Sequence, residues 1–386
     1  MKLELKKEEE MKIKVSKGQM FYGVGVVQNV VSMKVSLPVL LNILLESSIK
    51  EVGSGKLRLT ATDLEITVKC TIPVEVKEEG GVTVPAKLFT NIIKELPEKE
   101  VYIYTEENNN IKIECEKSVF NIFGLPQNEF PTPPTIEEKT SLIINANILK
   151  EMIRKTRFAV STDETRFNLN GICMILKENQ VKMVATDGHR LAYIKEDIPL
   201  SIKEEVSVII PNKVLNELTR LLPEEGEKVK INIGKNYILF NLSEDISITS
   251  RLIEGTFPGY EQVIPKETDK QIKVNTRNFL DATRRVSLLT EEKSNLIKLQ
   301  TAKNRLTVIG DTPSSGKARE EIEISLKGED IETGFNAKYV MDVLKVIDTE
   351  EMVIEMSNPA SPALIRPYSK ELKEKNYLCV VMPVRL

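Results

Sequence analysis

Apolar positions recur along this chain with two periods, and both patterns come three times. VPAKLFTNIIKELP (Val84 to Pro97), IPNKVLNELTRLLP (Ile210 to Pro223) and FNAKYVMDVLKVID (Phe335 to Asp348) each carry the spacing of an amphipathic helix. Their leading lysines, Lys87, Lys213 and Lys338, stand 126 and 125 residues apart. KLRLTATDLEITVKC (Lys56 to Cys70) and QVKMVATDGHRLAYI (Gln180 to Ile194) instead alternate apolar and polar residues about a turn, as hairpin strands do. Asp187-Gly188 is the two-residue turn signal of the second hairpin. NRLTVIGDTPSSGKAREEIEI (Asn304 to Ile324) is the third copy, with a longer tip rich in Gly, Ser and Pro. The turn aspartates Asp63, Asp187 and Asp311 are 124 residues apart each time. Two independent landmarks keep the same period, so three homologous modules lie in tandem. The period matches a whole domain of roughly 100–150 residues, and each module reads as α+β.

EFPTPPTIEE (Glu129 to Glu138) and TFPGYEQVIPKETD (Thr256 to Asp269) are matched linkers, with Phe130-Pro131 and Phe257-Pro258 127 residues apart. They set expected modules at 11–138, 139–267 and 268–386, after a charged extension, MKLELKKEEE, over residues 1–10.

The repeated helix carries a charge pattern. On a wheel of about 100° per residue, Phe89, Ile92, Ile93 and Leu96 form one stripe, and Lys87 and Lys94 lie opposite it. Lys213 with Arg220, and Lys338 with Lys345, repeat the pair. One such face is ordinary solvated surface, but three copies point to a polyanion that meets all three. A second helix per module adds to this. NANILKEMIRKTRFA (Asn145 to Ala159) aligns with NTRNFLDATRRVSLL (Asn275 to Leu289), placing Arg154 over Arg284 and Lys155 over Arg285. The first-module counterpart is expected at SLPVLLNILLESS (Ser36 to Ser48), which has no cation inside it and is flanked by Lys34 and Lys50.

Composition narrows the partner. The 54 Lys+Arg against 57 Asp+Glu give a net charge of −3, unlike proteins that grip nucleic acid by open-surface electrostatics. Aromatics are 5% and Trp is absent, which argues against stacking platforms for single strands. Contact with DNA would then be weak, sequence-independent and confined to one lined surface, as in a protein that surrounds DNA. Cys70, Cys115, Cys173 and Cys379 show no pairing or metal spacing and read as thiols of a reducing cytosol. No apolar run is long enough for a membrane span, and the first residues do not read as a signal peptide.

Catalytic constellations are weak. His189 is the only histidine, so a His-based site would have to use it beside Asp187. GDTPSSGKA (Gly310 to Ala318) has five residues between its glycines and Ala318 where a phosphate loop needs Ser or Thr. The three turn aspartates occupy equivalent places in separate modules, which favours turn formation over metal binding.

ATDGHRLA (Ala185 to Ala192) and VVMPVRL (Val380 to Leu386) resemble motifs of the bacterial DNA polymerase III beta sliding clamp. So do LPVLLNILLE (Leu37 to Glu46), ATDLEI (Ala61 to Ile66) and FNAKYVMDVL (Phe335 to Leu344), in order along the chain from Met11. The resemblance implies the DNA clamp fold: three topologically similar α+β domains per subunit. Two subunits would join head-to-tail as a ring around duplex DNA, with helices inside and sheets outside. It implies a cytoplasmic, non-catalytic processivity factor without cofactor or metal, bound by the replicative polymerase, the clamp loader and other proteins carrying a clamp-binding motif. Their peptides would enter a hydrophobic groove of Leu169, Thr186, Gly188, His189, Arg190, Leu191, Pro258, Val263, Val380, Met382, Pro383, Val384 and Arg385. Gln262 stands where relatives carry arginine. Duplex DNA would face Lys34, Lys87, Lys94, Arg154, Lys155, Lys213, Arg220, Arg284, Arg285, Lys338 and Lys345, with Arg166 near the pore mouth. At ring closure, Phe120 and Ile122 would meet Leu288 and Leu289 of the partner subunit.

Overall fold

The computed structural model describes residues 10–31, 37–51, 54–137, 139–199, 202, 204–223, 226–313, 316–369 and 376–386. Lys34, Glu138 at the expected first boundary, Ser314 and Ser315 of the third hairpin tip, and most of the 1–10 extension lie outside them.

One element order is written three times. The first copy runs β1 (Lys12–Ser16), α1 (Lys17–Val27), β2 (Asn42–Glu51), β3 (Ser54–Thr62), β4 (Ile66–Glu78), β5 (Gly80–Pro85), α2 (Ala86–Glu95), β6 (Glu100–Glu106), β7 (Asn110–Cys115) and β8 (Ser118–Phe123), followed by the short β9 (Leu125–Pro126). The second is β10 (Thr140–Asn145), α3 (Ala146–Arg157), β11 (Gly171–Lys177), β12 (Gln180–Thr186), β13 (Arg190–Asp197), β14 (Val206–Pro211), α4 (Asn212–Leu221), β15 (Lys228–Ile233), β16 (Tyr237–Asn241) and β17 (Ile246–Arg251). The third is β18 (Lys270–Asn275), α5 (Thr276–Val286), β19 (Leu296–Ala302), β20 (Arg305–Thr312), β21 (Gly316–Lys327), β22 (Glu332–Asn336), α6 (Ala337–Leu344), β23 (Glu351–Met356), β24 (Ala363–Tyr368) and β25 (Tyr377–Val381). Each copy is therefore βαββββαβββ.

The chain packs as two compact units, 1–147 with 216–251, and 148–215 with 252–386, so the second copy is shared between them. The first unit holds a thirteen-stranded sheet with the path β10-β15-β16-β17-β4-β1-β6-β7-β8. The second holds a twelve-stranded sheet ordered β14-β11-β12-β13-β25-β24-β23-β18-β21-β20-β19-β22. In each, the last strand of one copy pairs antiparallel with the fourth strand of the copy before it. β17 lies on β4 with Ile246 opposite Cys70 and Ser250 opposite Ile66, and β25 lies on β13 with Val381 opposite Arg190 and Tyr377 opposite Ile194.

Helix starts follow side-chain capping. Ser16, Asn145, Asn275 and Asn336 each accept a hydrogen bond from a backbone N–H of the first turn, of Gln19, Asn147, Asn278 and both Lys338 and Tyr339 respectively. This capping corrects one expectation. SLPVLLNILLESS is a 3-10 turn at Pro38–Leu41 followed by β2, not a helix. The first-module counterpart of α3 and α5 is α1, entered from β1 through the Ser16 cap. α1 buries Met20, Gly23, Val24, Val26 and Val27 but exposes Phe21 and Tyr22, so no polar stripe marks its solvent face. Gly23 sits so close to β3 and β4 that a Cβ there would be 3.0 Å from Leu59 and 3.2 Å from Ile72. All four cysteines are free and buried, and burial pushes the Cys70 and Cys379 thiols up to about 12. No helix among the described residues is long and apolar enough to cross a membrane.

Candidate peptide groove and nucleic-acid interface

The second hairpin turns through Gly188 and His189, closed by the Asp187 N–H donating to the Arg190 carbonyl at 3.3 Å. Gly188 adopts φ +88°, where a side chain is strained. Asp187 Oδ1 accepts from the His189 and Arg190 N–H groups at 2.9 and 3.0 Å, and the Thr186 hydroxyl donates to the Arg190 carbonyl at 2.7 Å. Asp63 and Thr62 make the same bonds in the first copy, where Leu64 bears the positive φ of 77°. These aspartates hold turns. Asp311 does not, since it lies within β20 opposite Lys317 of β21.

Arg190 anchors this hairpin from within. Its side chain is only 9% exposed and donates to Asp187 Oδ2 at 3.1 Å and to Asp342 Oδ2 of α6 at 2.7 Å. Its guanidinium lies over the rings of Tyr339, at 4.7 Å, and Phe158, at 5.4 Å. His189 stacks on Tyr339 with centroids 6.0 Å apart. Burial pushes the Asp342 carboxyl up, but the facing Arg190 and Lys345 cations outweigh it and hold the group below the usual carboxylate range. With both Asp187 oxygens engaged by main chain and Arg190, that carboxylate is not poised as a base for His189.

The sequence-derived groove residues separate into a floor and a rim. Leu191 and Val380 are buried in one cluster with Cys173, Ile175, Val184, Leu364 and Leu378, against which Phe257, Tyr260 and Ile264 of the linker pack. Leu169 is buried and Pro383 half-buried. Pro258, Gly188, His189 and Arg385 are exposed, as are Val263, Met382 and Val384 at 43%, 37% and 36%. The C-terminal segment is held by main chain: Met382 N–H donates to the His189 carbonyl and Val384 N–H to the Gly334 carbonyl, both at 2.8 Å. Arg166 belongs with these residues. It reaches the Asp187 carbonyl at 3.5 Å from a 3-10 turn beside Gly188. Tyr339, Asp342 and Phe158 were missed by sequence reasoning. Tyr339 and Asp342 lie in FNAKYVMDVL and Phe158 in NANILKEMIRKTRFA, two segments whose helical pattern singles out cations and apolar stripes.

The helix cations fall into two groups. Lys87, Lys94, Lys213, Lys338 and Lys345 are exposed opposite their helices' buried stripes, with Lys345 pairing to Asp342 at 3.0 Å. The arginines are more engaged. Arg154 forks onto Glu151 with two bonds of 2.7 Å and also pairs with Asp348. Lys155 pairs with Glu151 at 2.9 Å and lies over Tyr377. Arg284 pairs with Asp281 at 3.2 Å, and Arg285 forks onto Glu320. Arg220 donates to the Gly25 and Val26 carbonyls at the end of α1, at 3.0 and 2.7 Å. Arg277, exposed on α5, pairs with Asp281 at 2.9 Å. β8 ends its sheet with Val119, Phe120 and Phe123 exposed at 53%, 37% and 81%, whereas Ile122 is 6% exposed and packs inward. Leu288 is 80% exposed and Leu289 half-buried.

A βαββββαβββ unit copied three times, joined last strand to fourth strand and displaying basic helix faces, defines the class of DNA sliding clamps. Comparison with known proteins agrees. Residues 11–134, 143–259 and 261–385 match the N-terminal, central and C-terminal domains of the DNA polymerase III beta subunit. The beta sliding clamp of Staphylococcus epidermidis is 33% identical over 365 residues, 92% of this chain and 94% of that relative. The Bacillus subtilis sliding clamp structure is 31% identical with a TM-score of 0.92, covering 98% of this chain and 100% of that one. A Pseudomonas aeruginosa clamp solved bound to griselimycin is 32% identical with a TM-score of 0.90, over 97% and 100% of the two chains. The chain belongs to the DNA polymerase III beta subunit family, the bacterial beta sliding clamps, and is a non-catalytic processivity factor for DNA polymerase.

Proposed function

We propose that two copies of this chain close head-to-tail into a ring around duplex DNA and tether polymerase through the groove at Gly188–Arg190 and Met382–Arg385. The observation that carries the ring is the repeated joint. β17 fills the open edge of β4, and β25 fills that of β13. By the same rule β8 requires the first half of a β21. Among the described residues, β8 pairs only with β7, and β21 has no strand partner besides β20 over Gly316–Glu323. Head-to-tail contacts of this kind close a ring when the rotation allows, and exposed edge strands need such cover. Phe120 and the partner subunit's Leu288 and Leu289 would supply the apolar part of that interface.

Inside the ring, Lys87, Lys94, Lys213, Lys338 and Lys345 would meet phosphates without reading bases, while the paired arginines order the helices and add charge. The modules would meet near 138/139 and 267/268. The groove would accept short apolar peptide segments of polymerase, the clamp loader and other replication proteins in the cytoplasm, and griselimycin, which a relative binds, would occupy it here. Its form supports this reading: an apolar floor, a scaffold held by main-chain hydrogen bonds and few polar anchors.

Retention on a nicked circular duplex, loaded with a clamp loader and then linearised by one cut, tests the ring. Loss on linearisation with retention on the circle is expected. Equal retention on both forms would mean direct surface binding and would overturn the ring.

A further inference from the structure

Asp342 of α6 divides its carboxylate between two cations of different address. Oδ2 accepts from Arg190 Nη1 at 2.7 Å, beneath the groove hairpin, and Oδ1 accepts from Lys345 Nζ at 3.0 Å. Asp342 is 19% exposed, Arg190 9% and Lys345 52%. The Arg190 end is therefore held in a low-dielectric setting, and the Lys345 end can exchange its partner for one arriving from solvent. Arg190 carries the hairpin with it: Asp187 takes its Nε, and the adjoining His189 stacks on Tyr339, three residues before Asp342 on the same helix.

We propose that Asp342 is a positioning residue of the peptide groove, and that a DNA phosphate drawing Lys345 away tightens the groove by leaving the carboxylate to Arg190 alone. This rests on the reading of Lys345 as DNA-facing and of Gly188–Arg190 as groove. One helix then carries both surfaces, and a shared carboxylate is the differential contact that coupling between two sites requires.

A double-mutant cycle with fluorescein-labelled griselimycin tests it. Lys345→Gln removes the competitor and should tighten binding about twofold to fivefold, the range of a half-exposed ion pair. Asp342→Asn should weaken it about tenfold or more, with Asp342→Glu recovering part. In the Asp342→Asn background, Lys345→Gln should have no effect. A saturating 30-base-pair duplex should tighten wild-type binding by the Lys345→Gln factor and leave Lys345→Gln unchanged. A Lys345→Gln effect that persists without Asp342 would overturn the proposal. Exchange of the Arg190 Nη1 protons, followed by NMR of arginine-labelled protein, reads the Asp342 contact without ligand: slower in Lys345→Gln, faster in Asp342→Asn. Unchanged exchange in Lys345→Gln would also overturn it. Failure of wild type to bind griselimycin would remove the groove reading instead, and the exchange rates would still decide the Asp342 contact.

Discussion

Arg220 offers a test in which charge and architecture make different forecasts. The last four carbonyls of a helix lack partners within it. In α1 the Gln28 N–H takes the Val24 carbonyl, and Arg220 takes the next two, Gly25 and Val26, at 3.0 and 2.7 Å. Glu217 fixes the guanidinium from the other side through Nε at 3.1 Å. A hydrogen bond from a charged donor contributes roughly 1.5–3 kcal/mol net, and a cation at a helix C-terminus adds up to about 2. The side chain is 32% exposed, so solvent competes and the lower end applies. Arg220→Ala should therefore cost about 2 kcal/mol, the low end of those ranges. In a folding unit of this size that is a fall of about 4–8 °C in Tm. Arg220→Lys keeps the charge but loses the fork, and should cost about half as much. Lys213→Ala, on the same helix and exposed, should change stability by less than about 0.5 kcal/mol. Scanning calorimetry supplies the midpoints, and hydrogen exchange of the α1 amides localises the effect. Equal, small shifts for Arg220→Ala and Lys213→Ala would refute the capping role and return Arg220 to the plain cation that the sequence pattern made it.

Three further outcomes are expected. Lys87→Glu with Lys94→Glu should shorten retention on nicked circular DNA most at low salt and less as salt rises, with an unchanged Tm. Met382→Ala should weaken griselimycin binding about tenfold by removing rim contact, with little loss of stability because the side chain is already 37% exposed; fluorescence anisotropy and calorimetry check both. Burial pushes the Glu151 carboxyl up, but Arg154 and Lys155 outweigh it and hold the group down at about 2, against 4.5 unperturbed. On acidification the unfolded chain takes up this proton first, so the stability Glu151 adds is full above about pH 5 and is lost as pH falls towards 2. Glu151→Gln should lower the urea midpoint above about pH 5, where that stability is full, and flatten the acid limb so that the variant and wild-type curves converge as pH falls towards 2.

Much of this was legible in sequence because repetition amplifies weak signals. Three lysines at one period and two Thr-Asp turns located equivalent elements before any was folded. The misreading of the first module came from treating an apolar run as a helix. LLNILLESS is apolar since β2 is buried between β3 and β5, and KGQMFYGVGVV looks irregular since the solvent face of α1 carries Phe21 and Tyr22 rather than a polar stripe that would reveal its period. The Ser16 cap after an alternating strand was the available clue. Site residues divide on similar lines. Exposed lysines obey the helical wheel, whereas the partners of Arg190, Arg154 and Arg220 depend on contacts between residues 152, 194 and 195 positions apart. No local pattern encodes such separations.

The joint between β4 and β17 has a consequence for how such a protein can change over time. Main-chain groups make it, so almost any side chain that respects the inward and outward alternation can stand along it. That freedom suits relatives that share about a third of their residues and still superimpose closely. Length is another matter. Inserting or deleting one residue within Ile66–Cys70 would turn every following side chain to the opposite face of the sheet and shift the register that aligns one copy with the next. The joint should therefore drift freely in composition while staying fixed in count, with gaps between homologues collecting in turns such as the tip between β20 and β21.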